Sequence, residues 1–366
     1  MPTNLLEIKG LIVRRDKRTL LDVPALAVVE GQVLAVIGPN GAGKSTLLLA
    51  MAHLLKPDSG QVLLRGQPVT PRHELEYRRK IALVLQEPLL LDDTVFNNLA
   101  VGLRLHGLPR PEIERRAQYW LERLGIAPLA KRKARTLSGG EAQRTSLGRA
   151  FALQPDLLLL DEPFSALDAP TRQGLLEELQ TLLSETHQTA VFVTHDLDEA
   201  LMLGQQVAVL LAGGLRQVGE PRQVFSEPAD AEVAAFVGVE TVLPGRVTGA
   251  ADGLVLVDLN GAQADVVLTA SAVGEAAPGR LVYLCLRPED ITLWTAGDVP
   301  PSSARNRLQG RITRLAPQGV LVRVTVDCGL PLVALVTRSS AREMALEPGL
   351  EVAASFKASA AHLILR

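Results

Sequence analysis

Residues 36–49 read VIGPNGAGKSTLLL, and this stretch constrains the fold more than any other part of the chain. It contains the spacing G-x-x-x-x-G-K-[ST], which ends at Lys44 and Ser45. The apolar run 33-VLAVI-37 predicts a short strand before it, and the leucines after it predict a helix. Glycines let backbone N–H groups close around a phosphate at a helix N-terminus. A glycine-rich turn without a ligand is the alternative, but the complete motif in this context favours phosphate binding.

This motif also assigns separate tasks to its side chains. Lys44 is expected to reach the β- and γ-phosphates of a nucleotide, and the Ser45 hydroxyl is expected to bind magnesium. The predicted phosphate-binding loop comprises Gly38, Pro39, Asn40, Gly41, Ala42, Gly43, Lys44, Ser45 and Thr46.

Composition restricts the class of protein. The chain has 366 residues, 47% hydrophobic, with a net charge of -2, which allows two domains and provides no excess of positive charge for a nucleic-acid partner. The start MPTNLLEIKG lacks a signal-peptide pattern, and no apolar run approaches the roughly 18 residues of a membrane span. Cys285 and Cys328 are too few for a metal site or a disulfide framework, which is typical of a reducing cytoplasm.

The chain changes texture along its length. Short apolar runs alternate with helical stretches until about residue 236, which predicts an α/β domain with a parallel sheet covered on both faces. Amphipathic helices interrupt this rhythm and predict a helical insert over about 87–155. After Gly238, short strands broken by glycine and proline predict small β-barrels. We therefore predict a nucleotide-binding domain over 1–240 and an all-β domain over 241–366.

The β-rich part repeats itself. The stretch 243-LPGRVT-248 returns as 308-LQGRIT-313, and Pro278-Gly279 before a predicted strand returns as Pro348-Gly349. Two similar barrel modules in tandem explain this repetition, and chance similarity among β-rich segments is the alternative.

Two carboxylates end the apolar run 157-LLLLDEP-163. Asp161 is expected to hold magnesium, while Glu162 polarises an attacking water, because phosphoryl transfer requires both charge neutralisation and a positioned base. A strand that ends in Asp-Glu is common, so the functional interpretation of this pair depends on the other motifs.

The stretch 137-LSGGEAQR-144 predicts a helix that begins with Ser138 as its cap and exposes N–H groups, which makes a second anion site. Gln86 and His195 each follow a predicted strand, where open α/β sheets collect ligands. Taken alone, either residue could be purely structural.

In this order, the motifs of residues 4 to about 236 resemble the ATP-binding cassette (ABC) ATPases of membrane transporters. The matches are Gly38–Thr46 for the Walker A loop, Gln86 for the Q-loop, Leu137–Glu141 for the signature, Asp161 and Glu162 for Walker B, Ser165–Asp168 for the D-loop and His195 for the switch histidine.

The resemblance implies ATP and Mg²⁺ as cofactors. It implies that Ser45, Gln86 and Asp161 serve the metal, and that Glu162, His195 and Gln86 serve catalysis. It also implies a homodimer that holds ATP between the Walker A loop of one subunit and the signature residues of the other. Those signature residues are Ser138, Gly139, Gly140 and Glu141.

One position departs from the family. The pattern of 6-LEIKGLIVRRDKRTLLD-22 places Arg15 where these ATPases usually carry an aromatic residue that stacks on adenine. A planar guanidinium can also stack on a base, and a solvated surface arginine is the alternative.

The single cassette, the absence of a predicted span and the β-rich tail resemble the ATPase subunit of an importer. The tail is similar to transport-associated OB (TOBE) modules, in which a stretch like 286-LRPED-290 occurs. This resemblance implies separate membrane permease subunits as partners, docked near 95-VFNNLAVGLRLHG-107, and indirectly an extracytoplasmic solute-binding protein. The expected location is therefore peripheral, at the cytoplasmic face of the cell membrane.

The tail also bears on the cargo. The stretches 303-SARN-306 and 357-KAS-359 resemble molybdate- and tungstate-binding barrels of the molybdenum-pterin type. Hydroxyls, an arginine fork and a lysine suit a tetrahedral dianion. The predicted oxyanion site is therefore Ser303, Arg305, Lys357 and Ser359.

Several functions fit these observations. We rank import of molybdate or tungstate first. Import of another solute such as sulfate, ferric ion, a polyamine or a sugar comes second, and a soluble non-transport ATPase third. A stand-alone oxyanion sensor would require an inactive cassette, whereas the motifs are intact. A purely structural role for the tail is the alternative to oxyanion binding.

Overall fold

The computed structural model of the chain describes residues 3–16, 18–251, 254–259, 267–271, 277–295 and 302–365. They form two compact units, Met1–Pro221 and Arg222–Arg366. Within the described residues, no helix combines the length and the apolar character needed to cross a membrane.

The first unit is built on a ten-stranded sheet flanked by helices. Its strands are β1 Asn4–Arg15, β2 Arg18–Val29, β3 Val33–Ile37, β4 Ser59–Leu64, β5 Gln67–Pro68, β6 Ile81–Val84, β7 Leu157–Asp161, β8 Ala190–Thr194, β9 Gln206–Leu211 and β10 Gly214–Gly219. Its helices are α1 Lys44–Met51, α2 Glu74–Arg79, α3 Val95–Leu105, α4 Arg110–Arg123, α5 Gly139–Ala152, α6 Ala169–Thr186 and α7 Leu197–Leu203.

Half of this sheet is parallel, as the sequence predicts. The order β9-β3-β8-β7-β6 is parallel throughout. Every residue of β3, β7 and β8 is buried, because helices cover both faces and leave no polar side to the strands. The carboxyl ends of four neighbouring strands therefore meet at one edge, where the loop after β3 leads into α1.

The other half differs from the parallel sheet that the sequence predicts for this domain. The long strands β1 and β2 form an antiparallel hairpin, and β4 and β5 extend it along the edge of β1. A single parallel pair, Gly214 with Asp22, joins this half to β10. The burial of β1 alternates between core and solvent along much of its length, which is the pattern of an antiparallel strand with one wet face.

Helices α3, α4 and α5 lie between β6 and β7 in the chain, inside the predicted helical insert. Their apolar faces are buried around Leu99, Trp120 and Phe151, with the two aromatic rings stacked at 4.8 Å between centroids. Gly148 of α5 allows α3 and α5 to approach closely, since a Cβ at this position would lie 3.2 Å from the side chain of Leu99 in α3.

The second unit contains two five-stranded antiparallel sheets. Helix α8 Pro221–Ser226 spans the boundary between the units and is followed by α9 Ala231–Phe236, β11 Thr241–Ala251, β12 Leu254–Asp258, β13 Val267–Ser271, β14 Leu281–Leu286, β15 Thr292–Thr295, β16 Asn306–Gln318, β17 Leu321–Asp327, β18 Pro331–Thr337, α10 Arg338–Glu343, β19 Glu351–Phe356 and β20 His362–Leu365.

The two modules predicted from the repeat exist, but their sheets exchange a strand. Each sheet includes one strand that comes from the other sequence repeat. The first sheet has the order β13-β12-β11-β14-β20, and the second has the order β15-β19-β16-β17-β18. Thus β20, from the end of the second repeat, pairs with β14, and β15, from the end of the first, pairs with β19. One apolar cluster joins side chains of both sheets, so the repeats share a core.

The repeats match in backbone detail. Gly279 donates to the Val247 oxygen at 2.7 Å, and Gly349 donates to the Ile312 oxygen at 2.8 Å. The pairing of β11 with β12 shifts register after Val247, and the pairing of β16 with β17 shifts after Ile312. The sequence repeat therefore encodes the same bulge twice.

The boundary between the compact units lies before residue 240, where the sequence predicts a domain change. Residues 222–240 group with the β-rich unit. Val233, Val237 and Val239 are buried there, and Glu240 pairs with Arg323 at 2.7 Å.

Gly245 of β11 should tolerate no side chain. A Cβ there would lie 2.6 Å from Val257 and 2.9 Å from the Asp258 oxygen. We expect Gly245→Ala to lower the free energy of unfolding of the second unit by about 1–3 kcal/mol, the usual range for overpacking. Gly249→Ala in the same strand is the control, because its nearest neighbour would be 3.7 Å away. Equal thermal unfolding of both variants would contradict this close approach.

Candidate functional site

A pocket of about 390 Å³ opens at the carboxyl edge of the parallel strands. Its volume lies within the range of small-ligand sites. Most of its lining comes from the predicted phosphate-binding loop and from two residues that follow neighbouring strands. The lining residues are Leu20, Asn40, Gly41, Gly43, Lys44, Ser45, Thr46, Gln86 and Glu162.

The loop itself depends on its glycines. A Cβ on Gly38 would overlap the carbonyl oxygen of Leu210, and Gly43 has φ of +95° in the left-handed region. The loop is thereby wrapped closely, and Lys44 at the start of α1 is 95% buried. Its ammonium donates to the oxygens of Gly38 at 2.9 Å and Pro39 at 3.2 Å.

Lys44 also faces the carboxylates that follow β7. Its Nζ lies 3.3 Å from Glu162 Oε1. The Ser45 hydroxyl donates to Asp161 Oδ1 at 3.0 Å. Burial raises the pKa of Asp161, the Ser45 hydrogen bond opposes the shift, and the nearby charge of Glu162 adds to it. The structure therefore brings the four residues predicted for phosphate, metal and base into one contact group.

His195 joins this group from the end of β8. Its Nδ1 lies 3.0 Å from Glu162 Oε2, so Glu162 contacts a lysine with one oxygen and a histidine with the other. Glu162 has φ of +41°, an unusual conformation for a residue with a side chain, and the Ser165 hydroxyl donates to its carbonyl oxygen at 3.0 Å. Such backbone strain is found where a side chain must be aimed.

Sequence reasoning missed the residue that supports His195. Glu199 is buried, and it accepts a hydrogen bond from the Thr194 hydroxyl at 2.6 Å. Thr194 Oγ1 in turn accepts from the Asp196 N–H at 2.9 Å, which fixes the turn on both sides of His195. The spacing Asp196-x-x-Glu199 was visible as a helix start, but it gives no sign that Glu199 turns inward.

The predicted signature residues form a regular helix start. Ser138 caps α5, with its N–H donating to Glu141 Oε2 at 2.8 Å and its hydroxyl accepting from the Glu141 N–H at 3.4 Å. Ser138 and Gly139 are exposed. None of Ser138, Gly139, Gly140 and Glu141 belongs to the described lining of the pocket in the same chain.

The predicted base-stacking position also lies apart from the lining. Arg15 is exposed at the end of β1, paired across the hairpin with Arg18. Leu20, 38% exposed, lines the pocket instead. Sequence reasoning missed Leu20, although its place on the exposed face of β2 beside Arg18 and Asp22, out of phase with the buried Leu21 and Val23, was a signal.

The predicted oxyanion residues lie at one end of the pairing between β16 and β19. Asn306 pairs with Phe356 at the end of this ladder. Ser303 and Arg305 precede this end of β16, and Lys357 follows β19 and leads into the 3₁₀ turn Ala358–Ala360 that contains Ser359. All four predicted residues are exposed.

Models of two known families match the chain. One described as ABC transporter covers residues 21–165, and one described as TOBE domain covers residues 302–363. The chain is 40% identical to the molybdate/tungstate import ATP-binding protein of Pyrococcus horikoshii over 338 residues, which make up 92% of this chain and 93% of that protein. The chain belongs to the family of ABC transporter ATP-binding proteins.

Two further relatives agree with this membership. The sulfate/thiosulfate import ATP-binding protein of Thermosynechococcus vestitus is 36% identical over 89% of both proteins. The solved structure of cbiO1 from Clostridium perfringens, part of the ABC transporter complex cbiONQ, is 28% identical with a TM-score of 0.57, and the match covers 65% of this chain and 96% of that one. The predictions of family, ABC ATPase fold, OB-like tail and ATPase activity are confirmed.

Glu199 should make this ABC ATP-binding protein less stable at neutral pH. Burial raises its pKa, so the ionised form is disfavoured in the folded chain. We expect Glu199→Gln to raise the free energy of unfolding by roughly 0.5–2 kcal/mol near pH 7, as other stabilising replacements do. This advantage should shrink as pH falls through the raised pKa, because the wild-type carboxyl then takes up a proton in the folded state.

Chemical denaturation without nucleotide, repeated from pH 7 to pH 4, measures this effect. Glu112→Gln is the matched control, because Arg115 and Arg116 lower the pKa of Glu112 to about 2 and its replacement should destabilise the chain. A destabilised Glu199→Gln variant at pH 7 would show that the ionised carboxylate contributes to folding.

Proposed function

We propose that this chain is the ATP-hydrolysing subunit of a membrane importer for molybdate or tungstate. The observation that carries the hydrolytic part is the contact of Glu162 with both Lys44 and His195 at the mouth of the phosphate-binding loop. The cargo is supported by the similarity to a molybdate/tungstate import protein over 92% of the chain. Sulfate import is the second candidate, because a sulfate/thiosulfate relative also matches over 89% of the chain.

The donor set at the pocket fits magnesium. Ser45 Oγ and Asp161 Oδ1 lie 3.0 Å apart, and Gln86 lines the same pocket with an amide oxygen. Oxygen donors of this kind are what Mg²⁺ binds beside substrate phosphates. When bound, the ion would neutralise negative charge on the phosphates. Ser45, Gln86 and Asp161 are the residues that would hold it.

The proposed roles of Lys44, Glu162 and His195 are inferred from the contacts that these residues make in the structure. Lys44 donates to loop carbonyls and to Glu162, and a phosphate in the loop would be a stronger partner for the same ammonium. Glu162 would then lose its contact with Lys44 and keep the one with His195. Its free carboxylate oxygen would be available to accept a proton from an attacking water. His195 would orient that carboxylate.

The exposed signature helix supports a homodimer. Ser138 caps α5 and is exposed, but it lines no part of the pocket described in its own chain. We propose that it completes the site of a second copy, so that ATP lies between two chains. Arg15 and Leu20 are the proposed neighbours of the base.

A membrane partner is proposed for the surface after Gln86. Leu89 and Leu91 are 62% and 49% exposed and lie two positions apart in one loop, so they form a small apolar patch that a partner could cover. We propose that permease subunits dock here, at the cytoplasmic face of the membrane. A solute-binding protein on the opposite side would deliver the cargo to the permease.

Replacement of Glu162 tests the hydrolytic assignment. Glu162→Gln should retain ATP binding, lose turnover by about 10²-fold or more, the scale of general-base effects, and accumulate an ATP-bound dimer. Steady-state ATPase assays and size-exclusion chromatography measure both effects. Glu185→Gln, which changes an exposed glutamate paired with Arg123, should hydrolyse ATP normally. Near wild-type turnover of Glu162→Gln would remove this residue from the base role.

The oxyanion site is tested by calorimetric titration of the full chain. Tungstate and molybdate should bind more tightly than sulfate or phosphate, and Arg305→Ala or Lys357→Ala should weaken binding by about tenfold or more, the scale of a hydrogen bond to a charged group. Arg342→Ala removes another exposed arginine of the same unit and should bind normally. Selective sulfate binding would favour the second candidate, and no binding of any oxyanion would leave the tail a structural role.

A further inference from the structure

The loop that follows Gln86 exposes the side chains of Leu89 and Leu91 to solvent, while side chains of α3 and α5 hydrogen-bond to its backbone. Leu90 donates to the Pro88 oxygen at 2.9 Å, and Asp93 donates to the Leu91 oxygen at 2.6 Å, so the loop consists of tight local turns. Such turns alone bury little apolar surface, and a loop of this kind would open easily without further anchors.

Asn98 provides the first anchor. It lies in α3, is completely buried, and uses both ends of its amide. Its Oδ1 accepts from the Leu91 N–H at 2.8 Å, and its Nδ2 donates to the oxygens of Leu91 at 3.1 Å and Thr94 at 3.0 Å. A buried amide with every contact made to backbone specifies the position of that backbone.

Arg149 provides the second anchor from α5. Its guanidinium donates to the Leu89 oxygen at 2.8 Å, across 60 residues of chain. Burial lowers the pKa of Arg149, and it has no carboxylate partner among the described residues. Partial burial of a cation is costly, so the hydrogen bond to the Leu89 oxygen compensates a charge that water would solvate at the surface.

The two anchoring helices, α3 and α5, pack closely against each other. Gly102 and Gly148 let them pack closely, since a Cβ on Gly102 would lie 2.9 Å from Leu153 and one on Gly148 would lie 3.2 Å from Leu99. Both helices therefore share a rigid interface, and α5 carries Ser138 at its first turn.

A second connection runs through the backbone. Val95 donates to the Arg132 oxygen at 3.0 Å, Phe96 to the Ala130 oxygen at 2.9 Å, and Ala134 to the Asp93 oxygen at 2.9 Å. The segment 130–134 leads directly to the signature at Ser138. The exposed leucines are thus joined to the signature by a short backbone ladder on one side and by Arg149 on the other.

We propose that Asn98 and Arg149 are positioning residues that fasten the loop 88–91 to α3 and α5, so that displacement of Leu89 and Leu91 is carried to Ser138. This inference rests on the proposed function, because it assigns to the docking surface a path to the site that the signature completes. Neither residue touches the nucleotide pocket. The energetic coupling between the two sites is measured by the effect of each anchor on turnover.

The experiment compares Arg149→Met and Asn98→Leu with the wild-type chain by hydrogen exchange and ATPase kinetics. Loss of either anchor should speed exchange at the Leu90 and Leu91 amides by about tenfold or more, the scale of one buried hydrogen bond to a charged or amide group. It should also lower kcat by about 2- to 30-fold, the range of coupling energies along such networks, while ATP affinity stays unchanged.

Two variants separate positioning from general destabilisation. Arg149→Lys retains a donor and should recover part of both the slow exchange and kcat. Arg116→Met removes a similarly half-buried arginine that donates to the Ala152 oxygen at 3.5 Å, and it should change stability without freeing the loop. A fall in kcat for Arg116→Met equal to that for Arg149→Met would reduce the proposal to a stability effect and overturn it.

The remaining outcomes are also decisive. Unchanged exchange at Leu90 and Leu91 in Arg149→Met and Asn98→Leu would show that the anchors do not hold the loop. Faster exchange with wild-type kcat would show that the held loop takes no part in turnover. If the wild-type chain hydrolyses no ATP, the proposed function fails, whereas the exchange comparison still decides whether the anchors exist.

Discussion

A lysine ammonium buried among backbone carbonyls is the constraint on which the nucleotide site depends. Lys44 is 95% buried, and a charge in that position requires acceptors on every side. The loop supplies two carbonyl oxygens, and Glu162 supplies a carboxylate. A phosphate bound in the loop would be a stronger partner for the Lys44 ammonium than these carbonyls. The proposal that Glu162 acts as the base therefore links its release from Lys44 to phosphate binding through one side chain.

The sequence allowed prediction of those parts of the fold whose pattern is local. The buried strands β3, β7 and β8 are continuous apolar runs, and the carboxylates and histidine that follow them are adjacent in sequence to their strands. Parallel pairing then brings these residues to one edge without further information. Contacts between distant segments were not predictable in this way. Glu199 contributes through tertiary placement and does not depart from the ordinary pattern of its helix start, whereas Leu20 contributes from the exposed face of β2.

In the second unit, too, the features with a local sequence pattern were predictable, whereas the pairing of distant strands was not. The repeat predicted two modules, and the matched bulges after Val247 and Ile312 confirm that the same local signals act twice. The exchange of β15 and β20 between sheets was not predicted from the repeat, because pairing with β19 or with β14 is a contact between distant segments that the local sequence pattern does not specify. The shared apolar core then makes the two modules a single folding unit.

The two repeats differ in the side chains of one turn. Arg287 and Lys357 hold equivalent positions, each directly before a 3₁₀ turn, at Pro288–Asp290 and Ala358–Ala360. In the first module, Arg287 donates to the Phe225 oxygen and lies 3.5 Å from Glu289, so its charge is already compensated. In the second module, Ser359 replaces that glutamate, and Lys357 is exposed without a partner among the described residues. In one copy of the turn the cation is therefore paired within the protein, whereas in the other Lys357 and Ser359 are both exposed, which is why the proposed oxyanion site is assigned to the second module.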